Sequence, residues 1–181
     1  MHGPPHVSGR VRRTKRGTVS PRGAMVDAIR ITHVSTELDG KMPTRNASAK
    51  WEGGLKGGRG SFTGQTGLGG QYNFSSRFEN GTGSNPEELL AAAEAACYSM
   101  ALSGALEKNG TVPTSVETKA ACTIEKVGEQ MTITKIQLDV RASVPNLDDA
   151  TFQKIAAATK EGCPVSRALK AVDIQLNASL A

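Results

Sequence analysis

The pattern of apolar and polar residues identifies one long helix that should be buried, from Asn85 to Gly110. Apolar residues fill almost every side of it, and the one charged residue between Leu89 and Leu106 is Glu94. Its start carries an Asn–Pro pair followed by two glutamates, and its end a lysine followed by Asn–Gly, which are common helix-capping signals. A helix that is apolar all round belongs inside a protein. A membrane span fits less well, because the segment is rich in Ala, Ser and Gly and carries a glutamate near its centre.

Alternating apolar and polar residues predict strands on both sides of this helix. Residues 45–78 are expected to form strands joined by glycine turns, and their glycine clusters complete neither a dinucleotide-binding nor a phosphate-loop motif. Residues 115–126 and 131–144 both alternate with period two, but the apolar parity changes within the second segment. A bulge near Thr134–Lys135 would reconcile the two parities. Residues 172–180 alternate as an edge-like strand.

The first 24 residues differ from the rest in composition. They contain six Arg and Lys residues and no acid, so the formal charge of +5 for the whole chain leaves −1 for residues 25–181. They have no apolar period and lack the apolar core of a secretory signal, and their prolines and glycines spoil an amphipathic transit helix. We therefore expect a mobile basic arm over residues 1–24 and a single domain over residues 25–181, with Met25 as the natural start. The arm has no aromatic interleaving or motif that would indicate a nucleic-acid-binding module.

Three cysteines without metal-ligand spacing indicate a reducing, cytoplasmic compartment rather than a disulfide framework. Cys97 lies in the middle of the long helix, where a cysteine is more often a small core residue and where burial disfavours the thiolate. Cys122 shares the apolar face of its strand, which predicts a structural role. Cys163 follows an amphipathic helix over residues 148–160 and precedes Pro164, which suits the first position of a short helix. A thiol that caps a helix N-terminus is stabilised as the thiolate.

A reactive Cys97 would need a positive group close to it, and the sequence offers Arg77. This arginine lies in a predicted strand between two phenylalanines, and Glu87 on the first turn of the long helix is a possible partner. A solvent-exposed arginine without a partner is equally consistent with the spacing. The three histidines lie within the first 33 residues, and none has the spacing of a metal site or of a Cys–His pair.

Two longer motifs, each containing a cysteine, resemble those of a known family. The segments SNPEELLAAAEAACYSMAL (Ser84–Leu102) and GCPVSRALKA (Gly162–Ala171) are similar to the OsmC branch of the OsmC/Ohr hydroperoxide-reductase family. Shorter matches occur in the same order, namely AKWEG, FSSRFE, PTSVET and ITKIQLDV, so the resemblance runs from about Ala49 to the C-terminus. One departure is Glu94, at a position where relatives often carry His or Tyr. The basic arm has no counterpart in the family pattern.

The resemblance implies an α+β fold, an intertwined homodimer with long central helices wrapped by antiparallel sheets. It implies a cysteine-based peroxidase of organic hydroperoxides that protects against oxidative or osmotic stress, without a metal or cofactor. Cys97 matches the peroxidatic cysteine and Cys163 the resolving cysteine, while Arg77 would hold the thiolate and Glu87 would anchor Arg77. The Cys97 thiolate would be oxidised to a sulfenic acid, and Cys163 would convert this to a disulfide. The resemblance further implies an external dithiol of lipoyl type, which would then reduce the disulfide.

Two other classes of function stay open. One is a non-catalytic redox sensor or binding protein that uses the same disulfide as a switch. The other is a nucleic-acid-associated protein that acts through the basic arm, which the charge of −1 on residues 25–181 disfavours. Within the family, the Ohr branch is the near alternative, but AACYSMAL and GCPVS are closer to OsmC.

Overall fold

Residues 42–181, which the computed structural model describes, form two three-stranded sheets and four helices. The first sheet is an antiparallel meander in chain order, made of β1 (Ala47–Glu52), β2 (Arg59–Gly64) and β3 (Gly69–Asn73). Gly67, in the turn between β2 and β3, has a positive φ of 92°, a conformation that favours glycine. Gly60 lies under the ring of Tyr72, where a Cβ atom would come within 2.3 Å of the ring. The predicted strands with glycine turns are confirmed for this part of the chain.

The second sheet combines a long hairpin with a parallel edge strand. It consists of β4 (Ser115–Val127), β5 (Gln130–Ser143) and β6 (Asp173–Leu180), in that order. Thr123 pairs with Lys135 and Ile124 pairs with Ile133, which leaves Thr134 as the extra residue of a bulge. The predicted bulge is therefore confirmed. The expected antiparallel pairing holds for β4 with β5, whereas β6 runs parallel to β5 because α3 and α4 carry the chain back to the same end of the sheet.

The helices are α1 (Phe74–Phe78), α2 (Pro86–Lys108), α3 (Asp149–Gly162) and α4 (Pro164–Ala168). The long helix is confirmed, with the Asn85 side chain accepting the Glu88 N–H at 2.8 Å. Helix α2 is long and apolar enough to cross a membrane by composition, but here it packs against β4, α3 and α4. Its residues Tyr98, Leu102 and Leu106 join a buried core with residues of β5 and α3.

Residues 74–78 form the short helix α1. The strand that was predicted to continue through FSSRFE ends at Asn73, so this part of the prediction is wrong. The cause is local, because Asn73 builds a capping box with Ser76. The Asn73 side chain accepts the Ser76 N–H at 2.9 Å, and Ser76 Oγ accepts the Asn73 N–H at 3.0 Å. Such a box ends an extended segment and begins a helix. This turn places Arg77 beside the start of α2.

The described chain forms one compact unit over Thr44–Ala181. The predicted arm, the predicted boundary at residue 24 and all three histidines lie outside the described residues.

Candidate active site

Arg77 and Glu87 form an ion pair where α1 meets the start of α2. Arg77 Nη2 donates to Glu87 Oε1 at 2.8 Å, and Arg77 Nε lies 3.1 and 3.2 Å from the two carboxylate oxygens. The Glu87 side chain is 8% exposed and that of Arg77 is 35% exposed. A two-pronged contact of this kind fixes the direction of a guanidinium as well as its position. The pairing considered from the sequence is present, and it forms within one chain.

Neighbouring contacts fix this pair to the body of the domain. Ser76 Oγ donates to the backbone oxygen of Ser84 at 2.8 Å, and Asn85 Nδ2 donates to the backbone oxygen of Ser76 at 3.2 Å. The guanidinium carbon of Arg77 lies 5.0 Å from the centre of the Phe78 ring, a favourable cation–π distance. These contacts couple α1 to the first turn of α2, so the guanidinium is held in one orientation.

The thiols of Cys97 and Cys163 are neighbours, although they come from distant parts of the chain. Cys163 is fully buried where α3 meets α4, and Cys97 is partly exposed on α2. Burial raises the pKa of the Cys97 thiol, and the neighbouring Cys163 side chain and the charge of Glu94 raise this pKa further. A backbone hydrogen bond from Val165 acts in the opposite direction. Two adjacent free thiols are the arrangement that a reversible disulfide needs.

The first turn of α4 provides a backbone hydrogen bond to Cys97, whereas the sequence suggested that Cys163 would be its partner. Cys163 does occupy the N-cap position before Pro164, but its side chain makes no capping hydrogen bond. It is turned into the core instead, where it is wholly buried. The backbone of Val165 then interacts with Cys97. The capping hydrogen bond expected for the Cys163 side chain is therefore absent.

Glu94 is a fully buried carboxyl group one turn before Cys97. Its Oε1 accepts a hydrogen bond of 2.5 Å from Ser166 Oγ on α4, and Ser166 is itself buried. Its Oε2 is also buried and has no hydrogen-bond partner among the described residues. The sequence identified Glu94 as a departure from the family pattern but gave no sign of Ser166 as its partner.

Cys122 lies on β4, and neither Cys97 nor Cys163 is among the described groups that act on its thiol. It is half-buried, packs against the core and lies opposite Ile136 in the sheet. Burial raises the pKa of its thiol, and the charge of Glu87 adds to this effect. All three cysteines are free thiols. These features support the structural role predicted for Cys122.

The two pairs of candidate residues are far apart within one chain. Glu87, which holds Arg77, precedes Cys97 by ten residues of α2, which corresponds to about 15 Å along the helix axis. Arg77 is bound to Glu87 at that first turn, and it is not among the described groups that act on the Cys97 thiol. Among the described residues, no group of three or more His, Cys, Asp or Glu side chains is arranged to hold a metal ion.

Comparison with known proteins identifies the family. Residues 79–177 match the family model described as OsmC-like protein. The chain is 45% identical over 137 residues to Peroxiredoxin OsmC of Escherichia coli (strain K12), and the alignment covers 73% of this chain and 96% of that protein. The chain belongs to the OsmC-like protein family. The resemblance carried by the two cysteine motifs is thereby confirmed.

Two further relatives show how this OsmC-like protein compares with the Ohr branch. The organic hydroperoxide resistance protein OhrB of Bacillus subtilis has a similar structure, with a TM-score of 0.59, 26% identity, and coverage of 74% of this chain and 98% of that chain. The organic hydroperoxide resistance protein-like 2 of Staphylococcus epidermidis (strain RP62A) is 27% identical over 100 residues, which cover 55% of this chain and 70% of that protein. The higher identity to the OsmC relative agrees with the predicted branch, and the predicted α+β fold is confirmed.

Proposed function

We propose that this protein is a thiol-dependent peroxidase that reduces organic hydroperoxides to alcohols, with Cys97 as the peroxidatic and Cys163 as the resolving cysteine. The observation that carries the proposal is the contact between these two free thiols inside the two motifs of the family. The relative named Peroxiredoxin OsmC supports the reaction class. The relatives named organic hydroperoxide resistance proteins support the substrate class.

The reaction follows from thiol chemistry. The Cys97 thiolate attacks the O–O bond, which releases an alcohol and leaves a sulfenic acid on Cys97. Cys163 then attacks the sulfenic sulfur, so that a disulfide forms and water leaves. A dithiol, for which a lipoyl-type group is our candidate, reduces the disulfide and restores both thiols. Three free cysteines fit a cytoplasmic location, where thiols are kept reduced. The proposed activity would protect the cell against oxidative or osmotic stress.

An apolar groove supports a preference for organic peroxides. The groove lies between the first sheet and α2, has a volume of about 550 Å³, and includes Phe62, Leu68, Leu89 and Ala93 in its lining. Leu89, Ala93 and Cys97 follow one another at intervals of four residues, so they lie along one face of α2. An alkyl group bound in this groove would approach Cys97 along that face, whereas hydrogen peroxide would gain nothing from it.

We further propose that the active unit is a homodimer in which Arg77 of one subunit serves Cys97 of the other. Helix α2 is apolar on nearly every side, yet only five of its 23 residues are buried within the chain. A second copy would cover the remaining apolar surface. It would also supply the positive charge that Cys97 needs and that its own chain holds about 15 Å away. The guanidinium would favour the thiolate and donate to the peroxide oxygens.

Thiol mapping tests the proposed chemistry. One equivalent of cumene hydroperoxide should produce a Cys97–Cys163 disulfide, with Cys122 still free, and an added dithiol should sustain peroxide consumption. Cys97→Ser should abolish consumption. Oxidation in a single stoichiometric round, with no turnover under several dithiols, would indicate the redox sensor instead. A disulfide through Cys122 would contradict the assigned pair.

Mixing two inactive variants tests the shared site. When Cys97→Ser and Arg77→Ala subunits are refolded together, half of the dimers are mixed, and one of the two sites in each has both residues. The mixture should regain about a quarter of the wild-type activity. If it shows no more activity than the separate variants, Arg77 does not act across subunits.

A further inference from the structure

Glu94 is the least satisfied polar group in the described core. Its side chain is wholly buried, and only Oε1 has a partner, the hydroxyl of Ser166 at 2.5 Å. Oε2 is buried without a partner among residues 42–181. A buried carboxylate normally collects several hydrogen bonds or a cation, because it loses hydration on burial. None of the ion pairs formed by the described residues involves Glu94.

The carboxyl group lies close to the reacting thiol. Glu94 and Cys97 are three residues apart on α2, so their side chains start about 5–6 Å apart on the same helix face. The negative charge of Glu94 acts against ionisation of Cys97. Two negative charges so close together in a buried site are unfavourable, and such a pair tends to hold one charge between its two members. Glu94 therefore offers a buried carboxylate oxygen without a described partner on the helix face that carries the thiol.

None of the other charged groups near this site forms an ion pair with Glu94 among the described residues. From the α3–α4 junction the neighbouring groups are the buried thiol of Cys163 and the hydroxyl of Ser166. Lys160 and Arg167 line a groove with Ser166, but neither forms an ion pair with Glu94. From β4, the Cys122 thiol interacts with the charge of Glu87.

We propose that Glu94 is the proton carrier of the peroxidase reaction, taking the thiol proton of Cys97 and delivering it to the leaving alkoxide. The inference rests on the proposed function, and it adds a role for a buried residue that the proposed reaction does not otherwise use. Ser166 is then a positioning residue, because its hydrogen bond occupies Oε1 and leaves Oε2 to exchange the proton. The same bond ties α4, which follows Cys163, to the helix that carries Cys97.

The step balances without any further reactant. The Cys97 proton passes to Glu94, and the thiolate forms an S–O bond to the terminal oxygen of the hydroperoxide as the O–O bond breaks. The sulfur loses two electrons, the peroxide gains them, and the departing alkoxide takes the proton from Glu94. The products are the sulfenic acid, the alcohol and an ionised Glu94. General acid–base assistance of this kind contributes about 10²–10⁴ in rate.

Glu94→Gln tests the proposal, because glutamine can still accept the hydrogen bond of Ser166 but cannot carry the proton. The rate of Cys97 oxidation in a single turnover should be measured with cumene hydroperoxide and with peracetic acid. Acetate leaves without needing a proton, whereas the cumyl alkoxide needs one. The variant should lose about 100-fold in rate with cumene hydroperoxide and should change little with peracetic acid. Alkylation by iodoacetamide, which requires the thiolate but no proton donor, should not slow.

Matched variants make each result decisive. Glu107→Gln makes the same change at an exposed position of α2 and should leave both peroxide rates as in the wild type. Glu94→Asp keeps a proton carrier and should keep the rate ratio of the two peroxides near that of the wild type. The ratio is taken within one variant, so a reduced folded fraction does not alter it.

Three outcomes would overturn the inference. Glu94→Gln could speed both peroxides, in which case Glu94 merely repels the thiolate. It could slow both equally, in which case Glu94 does not deliver a proton to the leaving alkoxide. Glu94→Asp could match Glu94→Gln, in which case shape and not the proton matters. If the wild type consumed peroxide no faster than the Cys97→Ser variant, the proposed function itself would be wrong.

Discussion

The Arg77→Ala variant should remain folded but react poorly, so it tests the reaction separately from the stability of the domain. Arg77 is the one partner that supplies cationic N–H donors to Glu87 in the described chain, through contacts of 2.8, 3.1 and 3.2 Å. Arg77→Ala leaves the Glu87 carboxylate, only 8% exposed, without its cation. Glu87→Gln removes the charge instead and leaves a neutral acceptor.

The magnitude follows from the burial of the two partners. Breaking a fully buried pair by deleting one member costs about 3–5 kcal/mol. Arg77 is 35% exposed and water screens part of the interaction, so we expect about 2 kcal/mol, the usual size for a hydrogen bond to a charged group. A domain of this size is stable by about 5–15 kcal/mol, so Arg77→Ala should remain folded. Under the proposed shared site, the Cys97 thiol should nevertheless ionise only at a higher pH, because the guanidinium from the second subunit is gone.

A double-mutant cycle measures the coupling. Urea unfolding of the wild type, Arg77→Ala, Glu87→Gln and the double variant, at one fixed protein concentration, should give a coupling free energy of about 2 kcal/mol. Arg141→Ala removes an exposed arginine of β5 that forms no ion pair among the described residues, and it should change stability by no more than about 0.5 kcal/mol. Additive single effects would refute the reasoning, because they would mean that the ion pair contributes nothing to the fold.

Other variants test the remaining assignments. Cys163→Ser should consume one equivalent of peroxide and then stop, with Cys97 overoxidised to the sulfinic acid, as mass spectrometry would detect; continued turnover would remove Cys163 from the reaction. Cys122→Ala should leave turnover intact. The folded pKa of Cys122 is raised from 9.0 by burial and then by Glu87, so its stabilising contribution is complete below about pH 9 and is lost as pH rises through the folded pKa. Urea unfolding between pH 8 and 11 should therefore show a smaller alkaline loss of stability in Cys122→Ala than in the wild type. Deleting residues 1–24 should leave peroxide turnover and the unfolding midpoint unchanged, and a large loss in either would contradict their expected minor role.

Elements with a strong repeating pattern were predictable from the sequence. The long helix has capping signals at both ends, and its observed span of Pro86–Lys108 lies one residue inside those caps. The hairpin of β4 and β5 has apolar residues that alternate, and the parity change in β5 required the bulge that Thr134 forms. In both cases the local preference and the tertiary packing favour the same structure.

Features that depend on particular side-chain contacts, and not on a repeating pattern, were not predictable. The alternation around Phe74–Phe78 suggested a strand, but the capping box between Asn73 and Ser76 favours a helix there. The position of Cys163 before Pro164 suggested a helix cap, but packing turned its side chain into the core. The hydrogen bond from Ser166 to Glu94 joins two segments whose separation in the chain gives no local signal.

The two buried carboxyl groups of α2 have different hydrogen-bond partners, which supports different roles for them. Glu87 and Glu94 are seven residues apart, so they lie on nearly the same face of the helix, and both are buried. Glu87 receives three N–H contacts from Arg77, which hold its carboxyl group beside the guanidinium. Glu94 receives a single hydroxyl contact and keeps one buried oxygen without a partner. The guanidinium contacts both oxygens of Glu87, whereas Oε2 of Glu94 has no such contact among the described residues. This difference supports the proposed roles, with Glu87 as the anchor of Arg77 and Glu94 as the proton carrier beside Cys97.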